Sequence, residues 1–225
     1  MPGPKPPTQA PPPVRVQAPT QAPTQAPIHA PTPAPTLLVW PWAVRLGHWA
    51  LAGAVLGCLL LHEGGPWHER LGYAALALAG WRVGLGLMPR VGPCVGPRVG
   101  ADAPHLRFAA FVHGWRRTWA YARALGSRTE PRHLGHNPLG GWMIVALLGA
   151  ALLAGGSGAL YATDRFWGDP LLYRLHQLAG WAFAGLVPLH LAGVALTSLL
   201  QRENLVRAML TGRKRAAAPG DTGLD

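Results

Sequence analysis

Ten histidines are spread along 225 residues, and two of them raise a chemical question. In RLHQLAGWAFAGLVPLH, residues 174–190, His176 and His190 stand fourteen apart in an apolar stretch, with glycines between them and Pro188 just before the second. Fourteen residues make almost four helical turns, so both rings fall on nearly one stripe, about 21 Å apart along the axis. Imidazole is the commonest metal ligand among side chains, but one small ion cannot touch rings so far apart. Two sites stacked along one helix can use one ring each. Each site then needs a partner from another helix at the same depth.

The elements that must position these rings are membrane helices. The chain is 49% hydrophobic and only 13% charged, against about 25% charged in an ordinary soluble domain. Four apolar segments, about 40–61, 68–88, 139–162 and 171–200, approach or exceed the roughly twenty residues needed to cross a bilayer. Backbone groups in lipid must bond internally, so each is a helix. The net charge of +11 sits between and after these runs, the pattern of a membrane protein and not of a nucleic-acid binder. Between Met88 and Leu139 lie eight arginines against Asp102 and Glu130, and Arg202, Arg207, Arg213, Lys214 and Arg215 follow the last run. The connections around 63–70 and 164–169 are nearly neutral. By the positive-inside rule both termini and the middle loop face the cytoplasm.

The expected organisation is therefore an all-α integral membrane protein, a four-helix bundle over residues 37–216, N-in and C-in. Residues 1–36 hold thirteen of the 24 prolines and read as a disordered extended tail without signal-peptide order. Residues 217–225 form a short C-terminal tail. Within the middle loop, residues 105–125 mix aromatics with arginines and read either as a helix lying in the cytoplasmic interface or as a solvated basic loop. Cys58 and Cys94 form no CxxC or CxxCH motif, so neither a disulfide framework nor covalent haem is expected.

Depth sorts the histidines. His29, His105, His113 and His133 fall in the tail or loop and need no special account. His48, His68, His176 and His190 lie within or at the borders of the crossings, where a polar group implies function. His48 lies about 12 Å in from the cytoplasmic border and His190 about 15 Å, so these two can meet. His68 and His176 can meet on the outer side, with His62, fourteen after His48, as the competitor of His68. Facing neutral imidazoles are what a six-coordinate haem iron needs. Gly72, Gly180 and Gly193 follow three of the histidines by three or four residues and would keep those helix faces open. Pro188 should kink the helix before His190. Arg82, near the inner border, either snorkels to the surface or pairs with haem propionates. Arg45 reads as a plain basic anchor, and Gly53-x-x-x-Gly57 as a close-packing face. His136 precedes Asn137 and Pro138, an N-cap followed by a proline in the first turn, and a quinone contact for His136 is the lesser reading.

Several stretches carry a resemblance: RLGHW at 45–49, HERLGYAALAL at 68–78, GHNPLGG at 135–141, the fourth helix with its two histidines, and RENLVRAMLTGRKR at 202–215. Together they resemble the bacterial cytochrome b561 family, including the b-type cytochrome subunits of nickel–iron hydrogenases, over roughly residues 38–216. The resemblance implies four membrane helices and two non-covalent haem b groups. It implies ligands from the first, second and fourth helices, which fall on His48, His68, His176 and His190, and it favours His68 over His62. It implies electron passage in the inner membrane between a hydrogenase or c-type cytochrome and the quinone pool. Two departures stand out: WPWAV precedes Arg45 where relatives often carry an acid, and the proline-rich head has no counterpart.

The expectation is a di-haem membrane cytochrome, an electron-transfer protein or oxidoreductase subunit, with lipid and quinone as partners and a homodimer as an option. Three rivals remain: a histidine-based metal-ion transporter, a redox-inactive membrane anchor, and a self-sufficient quinone-reducing oxidase. The first is disfavoured because the apolar interiors contain no Asp or Glu, which transported divalent ions usually want beside imidazole.

Overall fold

The structure, a computed structural model, describes residues 1–3, 35–88, 106–127, 129, 132–133 and 135–216. The expected disordered tail, the loop bearing Cys94 and the C-terminal tail fall largely or wholly outside the described residues. The chain divides into units Met1–Pro33 and Ala34–Asp225, and every helix and strand described belongs to the second.

Four long helices dominate: α1 Trp42–Leu60, α2 Pro66–Leu87, α5 Pro138–Tyr161 and α6 Pro170–Leu200. Two shorter helices, α3 Phe108–Phe111 and α4 Trp115–Gly126, lie between α2 and α5, and α7 Leu205–Thr211 follows α6. Strands β1 Thr36–Leu38 and β2 Arg213–Arg215 flank the whole set. Three of the long helices begin with proline at the first position, where its missing N–H costs nothing. That is why α2, α5 and α6 start one or two residues before the apolar runs do. Asn137 Oδ1 accepts from Gly140 N at 2.6 Å, and Asp169 Oδ1 from Leu171 N and Leu172 N at 2.9 Å each, so both side chains satisfy orphan first-turn donors. The expected cap at Asn137 is thus present.

By length and composition α1, α5 and α6 suffice to cross a membrane. The 22 residues of α2 match them in length, but Glu69, Arg70 and Arg82 lower its apolar character. Pro188 lies inside α6, which runs through it without a break. The helices pack most extensively in sequence, α1 on α2, α2 on α5, α5 on α6, and α1 meets α6 less closely. A shared core joins all four: Ala79, Leu148, Ala151 and Phe183 are buried, with Leu51, Val55 and Val187 against them. Outward side chains such as Leu178, Trp181 and Leu199 are apolar and exposed, as a lipid-facing surface requires. Exposed tryptophans stand near the ends of the long helices, Trp67 and Trp167 toward one end and Trp42 and Trp142 toward the other, matching the aromatic belts of membrane proteins.

The second of these ends carries most of the arginines. There β1 and β2 pair antiparallel, with Thr36 opposite Arg215, Leu37 opposite Lys214 and Leu38 opposite Arg213. Val39, Trp40, Val44, Leu85 and Leu106 form a small core beneath. The stretch expected as one interfacial helix or a basic loop is instead two helices, interrupted before Gly114. On α4, Thr118 and Tyr121 turn inward, while Trp115 and Trp119 stack at 5.8 Å and stay exposed.

Candidate functional site

His68 sits in the first turn of α2 and His176 in the second turn of α6. Their ring centroids are 5.8 Å apart, with the planes at 76°. The positioning of each ring is built from backbone. His68 Nδ1 lies 3.2 Å from Cys58 O, and His176 Nδ1 lies 2.9 Å from Ala154 O. A carbonyl only accepts, so both Nδ1 atoms carry the proton, which in the neutral imidazole leaves the lone pair on Nε2. An outer hydrogen bond of this kind holds a ligating histidine in its tautomer and orientation. Cys58 belongs to the last turn of α1, whose final carbonyls have no helical partner; His68 supplies one. All four long helices thus contribute to this pair.

His62, the competitor, lies exposed in the turn after α1 and takes no part. Gly64 and Gly65 have φ of 95° and 97°, a region that L side chains resist. They reverse the chain so that Pro66 opens α2 and His68 lands in its first turn.

A residue that the sequence barely marks for this role is Gly158 on α5. A Cβ there would stand 2.9 Å from His176 Nδ1 and 3.0 Å from Cε1. The absent side chain is what lets the imidazole reach Ala154 O. The run GGSG at 155–158 in an otherwise Leu- and Ala-rich helix was the only hint.

Toward the basic end lie His48 on α1 and His190 on α6. His190 is close enough to act on His48 electrostatically, yet among the described residues the two rings make no direct contact. His48 Nδ1 is buried with no hydrogen-bond partner, and its ring stands edge-on to Trp49 at 5.1 Å. His176 and His190 share one continuous helix and so lie at separate levels. Positions 72, 180 and 193 have open space where a side chain would begin, in keeping with the open faces expected there. Of the presumed packing pair, Gly57 does meet Leu71 closely while Gly53 faces open space.

Arg82 is partly buried. Its guanidinium carbon lies 5.5 Å from the Phe108 ring and 5.9 Å from that of Phe111, and its buried NH1 has no hydrogen-bond partner. It does not simply reach into water, because α3 folds over it. Arg45 is more than a basic anchor, since its NH1 donates to Leu210 O and so ties α1 to α7. His136 packs between Trp40 at 4.7 Å and Phe111 at 4.8 Å.

Among the described residues no three His, Cys, Asp or Glu side chains cluster as a metal site would. The donor sets are pairs of imidazoles. Two donors leave most of a coordination sphere to the bound group itself, which suits a metal already held in a macrocycle. Facing imidazoles between apolar helices fit a membrane-embedded haem protein. The family model of prokaryotic cytochrome b561 matches residues 39–212, and the chain belongs to that family. It is accordingly a multi-pass membrane protein of the electron-transferring b-type cytochromes, which bind haem b. No curated protein and no solved structure matches the chain.

Proposed function

We propose that the chain is a di-haem cytochrome, with His68 and His176 holding one haem b and His48 and His190 the other. Electrons would pass between a partner redox protein, a hydrogenase or a c-type cytochrome, and the quinone pool of the inner membrane. The observation that carries this reading is the outer pair: two rings 5.8 Å apart, each with Nδ1 tied to a backbone carbonyl. Bound haem supplies a reversible one-electron iron couple. The chain's own part is to hold each Nε2 unprotonated, to exclude water with apolar helices, and to stack the two sites along α6. The buried NH1 of Arg82 is suited to a propionate of the haem nearer the basic end.

Four crossings with both termini cytoplasmic are supported by the β1–β2 pair. It brings residues 36 and 215 to one end of the bundle, which favours an even number of crossings with α2 among them. The described arginines of the middle loop and of the segment after α6 gather at that end, the cytoplasmic one by charge.

The test is haem content and the reduced-minus-oxidised spectrum of the purified chain. Two haem b per chain are expected, one lost in His176→Ala, one in His190→Ala, and none in His62→Ala. A chain without a b-type band, or one whose haem is indifferent to His176 and His190, overturns the reading.

A further inference from the structure

The helices that carry His48 and His190 pack less extensively than the α1–α2, α2–α5 and α5–α6 pairs, so something beyond the helix interface must help to set the distance between them. The basic end supplies it. Gly212, at φ 79°, ends α7 and turns its carbonyl toward the start of α1, where it accepts from Val39 N at 2.8 Å and Trp40 N at 3.0 Å. One turn into α1, Arg45 donates to Leu210 O, and Trp49 Nε1 reaches Met209 O at 3.4 Å. Trp49 is the immediate neighbour of His48. The other side of this junction is tied to α6. Glu203, three residues beyond α6, accepts from Arg132 at 2.9 and 3.1 Å and from Arg215 N at 2.8 Å, while Arg132 also donates to Arg215 O at 2.9 Å. Arg132 and Glu203 are 6% and 10% exposed, so this ion pair is not a surface ornament. Ala216 N closes the strand pair on Pro35 O at 2.8 Å.

We propose that this terminal clasp, made of β1, α7, β2 and the Arg132–Glu203 pair, is the strut that fixes the spacing of α1 and α6 and hence of His48 and His190. Gly212 and Glu203 are its positioning residues. Gly212 is required twice over: its backbone is left-handed, and a Cβ there would meet Trp40 O at 2.5 Å and Arg45 Nε at 3.2 Å. The pair His68–His176 does not depend on the clasp. It lies at the opposite end and takes its hydrogen bonds from α1 and α5 directly. Loosening the clasp therefore acts on one site and spares the other. The part of the proposal that concerns haem rests on the di-haem reading; the part that concerns helix spacing does not.

The experiment uses the full chain in lipid nanodiscs, with Cys58 and Cys94 replaced by serine. Spin labels on Leu46→Cys and Leu196→Cys report the distance between α1 and α6 by double electron–electron resonance. A single narrow distance is expected in the parent, and a broadened one in both Gly212→Val and Glu203→Gln. In unlabelled chains the same two variants should fall from two haems to one, keeping the haem that His176→Ala removes. A Thr36→Cys/Arg215→Cys disulfide, at the paired position of the strands, should return the second haem to Glu203→Gln until it is reduced. Unchanged distances in both variants overturn the proposal, as does joint loss of both haems without rescue by the disulfide. Broadened distances in a chain that binds no haem keep the clasp and remove the di-haem reading instead.

Discussion

Replacing Gly158 by alanine sets two effects of opposite sign against each other, and the structure says which wins. In a helix interior, Gly→Ala is worth about 1 kcal/mol in favour of the fold through backbone entropy. At this position the new methyl would lie 2.9 Å from His176 Nδ1 and 3.0 Å from Cε1, some half an ångström inside ordinary contact. The imidazole must swing away, and the Nδ1–H bond to Ala154 O at 2.9 Å is lost with it. Losing that bond costs about 1 kcal/mol, and forcing extra volume into a packed helix contact about 1–3 kcal/mol. The clash therefore exceeds the entropic gain. Loss of such an outer hydrogen bond typically weakens metal binding by about 10–100-fold, and that is the range expected for the haem held by His68 and His176. Haem retention is measured by competition with an apo-haem acceptor, alongside thermal melting and the low-spin ferric resonance. Alanine that leaves retention and resonance unchanged and raises stability by about 1 kcal/mol would refute the reasoning, because His176 would then not occupy this pose.

Three further outcomes each rest on a single feature. Asn137→Ala removes the cap on Gly140 N and should lower stability by about 1 kcal/mol, read by denaturant titration in detergent, with Asn137→Ser or Asn137→Asp losing little. Arg132→Ala leaves Glu203 buried without its cation and should cost about 3–5 kcal/mol, while replacing both partners by methionine should recover most of that; a double-mutant cycle on melting temperatures checks it. Burial pushes Lys214 down to about 8 from its ordinary 10.5, with Arg132 acting in the same direction and Glu203 against it. A lysine whose folded value is depressed destabilises the fold while it is charged, so stability should rise as pH climbs from about 8 to 10.5. Lys214→Met should be more stable than the parent below about pH 8, with the difference vanishing over that window; a pH-independent difference would refute the assignment.

How far the site could be read from residues alone differs from part to part. The stripe of His176 and His190 needed only helical periodicity and the cost of imidazole in an apolar run. The cap at Asn137 needed only short-range chemistry, since the group it satisfies lies three residues away. His62 and His68, six residues apart at one border, could not be separated by depth. Two left-handed glycines decide between them by placing the turn. Gly158, Cys58 O and Ala154 O were illegible for another reason: an absent side chain and two backbone carbonyls carry no residue-type signature. Arg45 read as an anchor because its acceptor, Leu210 O, lies 165 residues away.

Apolar run length, the uneven placement of arginine and the depth of each histidine are properties of the chain taken one segment at a time, and they suffice for membrane helices carrying imidazoles at two depths. The order in which helices pack, the rotation that turns Ala154 O toward His176, and the closing of the chain's ends around Gly212 are relations between distant segments. They arise only when burial and hydrogen bonding are satisfied for the whole bundle at once, which is why the tertiary structure alone decides which rings face each other and what holds them there.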